Sequence, residues 1–324
     1  MFKPFVFLAA LCLPVGALAA PAPDASLLAL QDMDQRVATI GYRLARSNLD
    51  ICERTMPLSG MLVHALDQYS AKTRPIVAAT FGLGAEPALL VVVPGSPAAR
   101  AGLKPGDLLL SVAGKTFPAG ATGKKASYSR VQQIEELLLA SLAAGPVPIE
   151  YQSGGTRHSA IIAPESGCLS RVQLMPSAKL NAGADGTYAQ LTSGIVDYVK
   201  SDDELALVIA HEMAHNIRAH RSWLDQRKIS RGLLKSLDGS AGKIRKTEVE
   251  ADYLALYLVA RAGFDISAAP GFWQRYGPGS LLEIFSDGTH PGRASRVAAA
   301  ERTIAEIRLK QRQSLPLTPQ LSAF

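Results

Sequence analysis

The chain has 324 residues, 48% of them hydrophobic but only 6% aromatic, with a formal net charge of +6 spread along its length. So modest and unclustered a charge, with so few aromatics, excludes a nucleic-acid-binding signature; solubility alone accounts for it. Past the N-terminus no segment offers about 18 uninterrupted apolar residues, which argues against a chain built from membrane-spanning helices.

In chain order, Lys3, the apolar stretch from Phe5 to Val15 and the small residues of Ala17-Leu18-Ala19 read as a cleavable signal peptide over 1–19, which sends a soluble protein to the periplasm. Leu11 is too bulky before Cys12 for a lipid-attachment site. About 300 residues then remain, a length that suits two modules. They keep two cysteines, Cys52 and Cys168, which an oxidising compartment would pair; two buried thiols are the alternative.

Leu27 to Ser47 repeats apolar residues at three and four, an amphipathic helix opening an N-terminal helical part over 24–75. The composition then changes to Gly, Pro and short β-prone runs over 78–164, as expected of an inserted module. Within it, Leu89 to Val93 reads as a strand, Ala98 to Leu103 as a helical turn ended by Gly102, Leu108 to Val112 as a strand and Ser129 to Ala144 as a helix. A hairpin follows, Val147 to Tyr151 and Arg157 to Ala163 about Ser153-Gly154-Gly155. The run from Gly95 to Asp107, Gly-Ser-Pro-Ala-Ala-Arg-Ala-Gly-Leu-Lys-Pro-Gly-Asp, closely resembles the signature of PDZ domains in bacterial envelope proteases. The resemblance implies binding of extended peptides or protein C-termini by strand addition, with Phe81-Gly82-Leu83-Gly84 as candidate carboxylate loop; otherwise these glycines make only turns. The C-terminal Leu321-Ser322-Ala323-Phe324 is the kind of end such a groove accepts.

From Asn181 the pattern turns helical. Thr187 to Leu191 reads as a short edge strand, an apolar period runs from Ile195 to Met213, and helices are predicted over 247–262 and 293–309. Basic residues crowd the stretch between Arg218 and Lys246, read either as a solvated loop or as peripheral contact with anionic lipid head groups.

The chemistry concentrates in His211-Glu212-Met213-Ala214-His215. At 100° per residue the two histidines lie about 40° apart on one helical face and can reach one ion, while Glu212 can take a proton from a metal-activated water. A catalytic zinc wants a third protein ligand and an open fourth position. His220 is turned about 180° from His211 by the same arithmetic and reads as a surface residue beside Arg218 and Arg221. Glu248-Val249-Glu250-Ala251-Asp252 is the better source: Glu248 as ligand, Asp252 one turn on to hold a ligating histidine, Glu250 pointing elsewhere.

With Asn181-Ala182, Asp185-Gly186, Asp203 to Ala206, Thr289-His290-Pro291 and Arg296, these motifs resemble the M48 family of metallopeptidases, its soluble periplasmic branch in particular. The resemblance implies an α+β fold, with a mainly helical zincin-like gluzincin domain over 168–309 completed by the N-terminal part; where soluble relatives carry helical repeats, this chain has only a short Gln/Pro-containing stretch, read as a flexible tail over 310–324. It implies one Zn2+ per chain on His211, His215 and Glu248, Glu212 as base, Asp252 behind a ligand, and His290 and Arg296 lining the cleft. His290 either gates the metal or stabilises the developing oxyanion. The expected activity is cleavage of unfolded or misassembled envelope proteins, with protein or peptide partners. A peptide-binding chaperone with a gated or non-catalytic zinc site, and a zinc hydrolase acting on an envelope polymer, are the rival readings.

Overall fold

The structure, a computed structural model, describes residues 23–120, 123–229, 240–276 and 291–321. Helix α1 (Ala25–Ser47) is capped by Asp24, whose carboxylate accepts from the amides of Ser26 and Leu27, and it buries Val37, Ile40 and Leu44. Strand β1 (Thr55–Leu58) leads into the module: β2 (Met61–His64), α2 (Arg74–Phe81), β3 (Ala88–Val92), α3 (Pro97–Arg100), β4 (Leu108–Val112), β5 (Lys115–Thr116), α4 (Ser129–Ala143), β6 (Val147–Ser153) and β7 (Thr156–Ile162). The chain returns through β8 (Glu165–Cys168) to β9 (Arg171–Met175), β10 (Ala182–Ala184), β11 (Tyr188–Thr192), α5 (Ser193–Tyr198), α6 (Asp202–Ile217), α7 (His220–Gln226), α8 (Ser240–Arg261), α9 (Ala268–Arg275) and α10 (Arg293–Arg312).

The module's sheet runs β2-β3-β4-β6-β7, with β5 on β4. Its core joins Leu89, Leu109 and Ile149 of the strands to Ile134 and Leu138 of α4. Strand pairing therefore starts the module at β2, earlier than the boundary at 78 drawn from composition. Four residues between a glycine and a turn carry too little period to read as a strand. At the neck β1 pairs antiparallel with β8, and Cys52 and Cys168 form a disulfide with Cα atoms 5.5 Å apart. Glu165 in β8 draws three elements together: it accepts from the Tyr42 hydroxyl of α1 at 2.7 Å and pairs with Arg46 of α1 at 2.6 Å and Arg100 of α3 at 2.9 Å.

A second, larger core unites α1, α5, α6, α8, α9 and α10. Beside it lies a sheet in the order β10-β11-β9. The expected edge strand near 187–191 is thus the middle strand, parallel to β9 and antiparallel to β10. Its neighbours, one of three residues with a central Gly183, were too short and weakly patterned to read. The apolar period from Ile195 to Met213 is divided between α5 and α6 by Ser201, whose hydroxyl accepts from the Glu204 amide; Asp202, Asp203 and Glu204 fill the positive first turn of α6. Buried Asn216 ties the end of α6 to the sheet side, donating to Ser170 at 2.9 Å and accepting from the Gly186 amide at 2.8 Å.

The expected flexible tail over 310–324 is docked as far as it is described. Leu317 and Leu321 pack on the larger core, Arg261 donates to the Leu317 carbonyl at 3.0 Å and Lys310 to that of Thr318 at 2.8 Å. Apolar side chains spaced four apart gave no recognised period after a polar helix end, yet they find burial against α8. The terminal Ser322-Ala323-Phe324 and the expected signal peptide lie outside the described residues.

Candidate metal centre

Helix α6 presents His211 and His215 on one face and α8 presents Glu248 to them. These are the residues whose ligand atoms, all within 4.8 Å of one another, form the metal-holding group found among the described residues. His211 Nε2 lies 3.2 Å from His215 Nε2 and 3.3 Å from Glu248 Oε2, and His215 Nε2 lies 3.6 Å from Glu248 Oε1. Donors placed tetrahedrally about 2.0–2.1 Å from a zinc ion would stand about 3.3–3.4 Å apart, so the set fits that ion. Glu212, buried beside His211, completes the motif.

The Nδ1 atom of His211 lies 3.0 Å from Asp252 Oδ1. Asp252 is held in turn by Arg296, whose Nε donates to Oδ2 at 2.8 Å and whose Nη2 donates to Oδ1. Burial alone would raise the Asp252 carboxyl, but Arg296 and His211 hold it below the usual carboxylate range. Burial alone would likewise lower His211, yet Asp252 and Glu248 outweigh it and push the imidazole up to about 10.

Arg296 was expected to line the cleft. It is only 3% exposed, stacks its guanidinium 3.3 Å over the Trp273 ring and sits behind the ligand shell, where its donors are spent on Asp252. A family resemblance conveys that such an arginine is present, whereas the direction it faces follows from how α10 packs on α8 and α9. His290 lies outside the described residues.

The larger correction concerns His220. Instead of a surface residue it is 1% exposed, with its Nδ1 3.0 Å from His215 Nδ1 and its Nε2 3.4 Å from Glu250 Oε2. Glu250 points away from Glu248, as the helical arithmetic requires, and accepts from Arg218 Nε at 2.6 Å. The extrapolation to His220 failed because α6 stops at Ile217. Ala219 takes a left-handed φ of 50°, and α7 restarts at His220 on a new axis. Sequence reasoning also missed Tyr276 at the end of α9. Burial first, then the Glu212 carboxylate, push its hydroxyl pKa up. A lone tyrosine after a helix carries no local signal.

Phe81 to Gly84 end α2 rather than standing clear of it. Phe81 packs edge-on against His64 at 5.3 Å, Gly82 caps the helix at φ 64° and Leu83 is buried against Val77 and Ala88. Phe81 also reaches a cavity of about 240 Å3 between β2, α4, α1 and β9. The outer edge of β2 borders this cavity, with Leu138 and Leu142 of α4 opposite and Asp34 of α1 across the modules. Of the basic stretch, Arg227, Lys228, Lys243, Arg245 and Lys246 are exposed, while Arg218 is engaged with Glu250; Arg231 and Lys235 lie outside the described residues. No described helix is long and apolar enough to cross a membrane.

Residues 160–234 match the family model of Peptidase family M48, and residues 90–138 match that of the PDZ domain. Over these two stretches the chain is thus similar to M48 peptidases and to PDZ domains. It is 31% identical over 147 residues to the mitochondrial metalloendopeptidase OMA1 of Schizosaccharomyces pombe, covering 37% of this chain and 42% of that protein. A Vibrio cholerae protein named as a putative beta-barrel assembly-enhancing protease is 31% identical over 173 residues, 42% of this chain and 34% of its own length. The chain thus spans less than half the length of the curated relatives it matches. Among solved structures, the HtrA3 PDZ domain bound to a phage-derived ligand covers 35% of this chain and 89% of its own, at 20% identity and a TM-score of 0.26, too low to bear on the fold.

Proposed function

We propose that this protein is a zinc metalloendopeptidase of the bacterial envelope, of zincin-like, gluzincin type, which hydrolyses unfolded or misassembled proteins and recruits them through its PDZ domain. The observation that carries the reading is the convergence of His211 Nε2, His215 Nε2 and a Glu248 carboxylate oxygen from two packed helices, with the Glu212 carboxylate on the same helix. Bound there, zinc supplies a Lewis acid and brings a water's pKa toward 7.

His211, His215 and Glu248 would hold the ion, and Asp252 fixes the Nδ1–H tautomer of His211 so that Nε2 is free to ligate. Glu212 accepts the proton of the attacking water and returns it to the departing amide nitrogen. The cavity bordered by β2 supports peptide recruitment, since a free strand edge facing an apolar helix can accept an extended peptide; Phe81 at its rim belongs to the loop Phe81 to Gly84 proposed to take the peptide's end. The V. cholerae relative's name supports an envelope location, in keeping with a signal peptide over 1–19 and a periplasmic destination.

Metal analysis and casein digestion of wild type and Glu212→Gln test the assignment. Both should hold about one zinc per chain, with the variant slower by roughly 10²–10⁴-fold. Zinc in both with cleavage by neither would favour a peptide-binding chaperone, and a metal-free wild type would overturn the reading.

A further inference from the structure

The two histidines of the centre are supported on opposite sides. His211 rests on Asp252 and Arg296, whereas His215 turns its Nδ1 away from that pair, toward residues for which the proposed chemistry has no use.

We infer that His220, Glu250 and Arg218 form a positioning relay that fixes the tautomer and ring orientation of His215, the counterpart of the Asp252–Arg296 pair behind His211. The inference rests on the zinc reading of the site. The His215 Nε2 atom faces His211 Nε2 and Glu248 Oε1, so a neutral His215 that ligates through Nε2 carries its proton on Nδ1. That N–H points at His220 Nδ1, 3.0 Å away, which must then accept. An accepting Nδ1 places the proton of a neutral His220 on Nε2, the atom 3.4 Å from Glu250 Oε2. The other Glu250 oxygen takes the Arg218 Nε–H at 2.6 Å. Only this arrangement of protons leaves no donor facing a donor along the relay.

The backbone is shaped to make the contact. A continuous α6 would have carried His220 to the far side; the left-handed Ala219 brings it back under His215, and burial leaves its ring little room to turn. Glu250 arrives from α8, two residues after Glu248, so one helix supplies both a ligand and the end of the relay.

The test is zinc affinity of the full-length protein, measured by competition with a chelator of known affinity, together with the visible spectrum of the cobalt(II)-loaded protein. His220→Ala should weaken zinc binding by about 10–100-fold and alter the cobalt spectrum. His220→Asn, whose amide oxygen can accept near the old Nδ1 position, should recover most of the affinity, and Glu250→Ala should fall between the two. An affinity of His220→Ala within about twofold of wild type would overturn the relay. So would a folded His220→Asn as weak as His220→Ala, a loss of packing rather than of a hydrogen bond. Absence of zinc binding by wild type would instead remove the centre on which the relay depends.

Discussion

Asp34 shows how a single side chain of α1 reports on the junction between the modules. It faces the cavity shared with β2, and burial pushes its carboxyl pKa up to about 7. At pH 4 the folded protein keeps this group protonated, and the unfolded state, with its ordinary value of 3.8, is still nearly half protonated, so little stability is lost there. As pH rises toward 7 the unfolded state ionises first, and stability falls until the folded group ionises too. Asp34→Asn should therefore raise the melting temperature at pH 8 and change it little near pH 4, read by calorimetry at both values. Equal shifts at the two would show that the carboxyl is not held neutral. His64, whose imidazole burial pushes down to about 4, acts with the opposite sign: its contribution is present above the unfolded value of about 6.5 and is lost as pH falls through 4. It is common to wild type and variant, so it cancels in the comparison.

At the scale of elements, the centre depends on how closely α6 and α8 approach. Ala210 and Ala214 on α6 and Ala251 and Ala255 on α8 are fully buried in one core, and such small side chains let Glu248 come within 3.3 Å of His211. Ala251→Leu should destabilise the protein by about 1–3 kcal/mol through overpacking, and zinc affinity should drop with it as Glu248 is levered away. Urea unfolding beside chelator competition would check both, and undiminished affinity would mean that the helices have slack to give. These two helices were the most readable part of the sequence, since ligands four apart and a carboxylate pair four apart are local patterns. The break between α6 and α7 was not readable, because Ala219 in a left-handed conformation is a residue that gives no warning of it.

Across the whole molecule, the larger core is assembled from two stretches separated by the inserted module. The β1–β8 pair and the Cys52–Cys168 bridge, which spans a sequence separation of 116, close the neck. On the other side of the cavity Glu135 of α4 meets Arg171 of β9 at 2.5 Å and accepts from the Tyr188 hydroxyl of β11 at 3.0 Å, so the groove of one module leans on the sheet of the other. Replacing both cysteines by serine frees a long loop in the unfolded state, which chain-entropy arguments value at about 4–5 kcal/mol. The double variant should melt well below wild type under non-reducing conditions and match reduced wild type; identical melting of oxidised wild type and variant would show that the bridge contributes nothing. By itself the sequence determined what repeats locally: the faces of α1, α4 and α6, the hairpin of β6 and β7, and the zinc-type donors with Glu212 between them, because helical and strand periods are written in neighbouring residues. Only the tertiary structure decided that β2 joins the module's sheet, that Arg296 backs Asp252, that Leu317 and Leu321 anchor the C-terminal segment, and that His220 returns beneath His215. Each depends on a turn angle or a burial partner far away in the sequence, which no local period encodes.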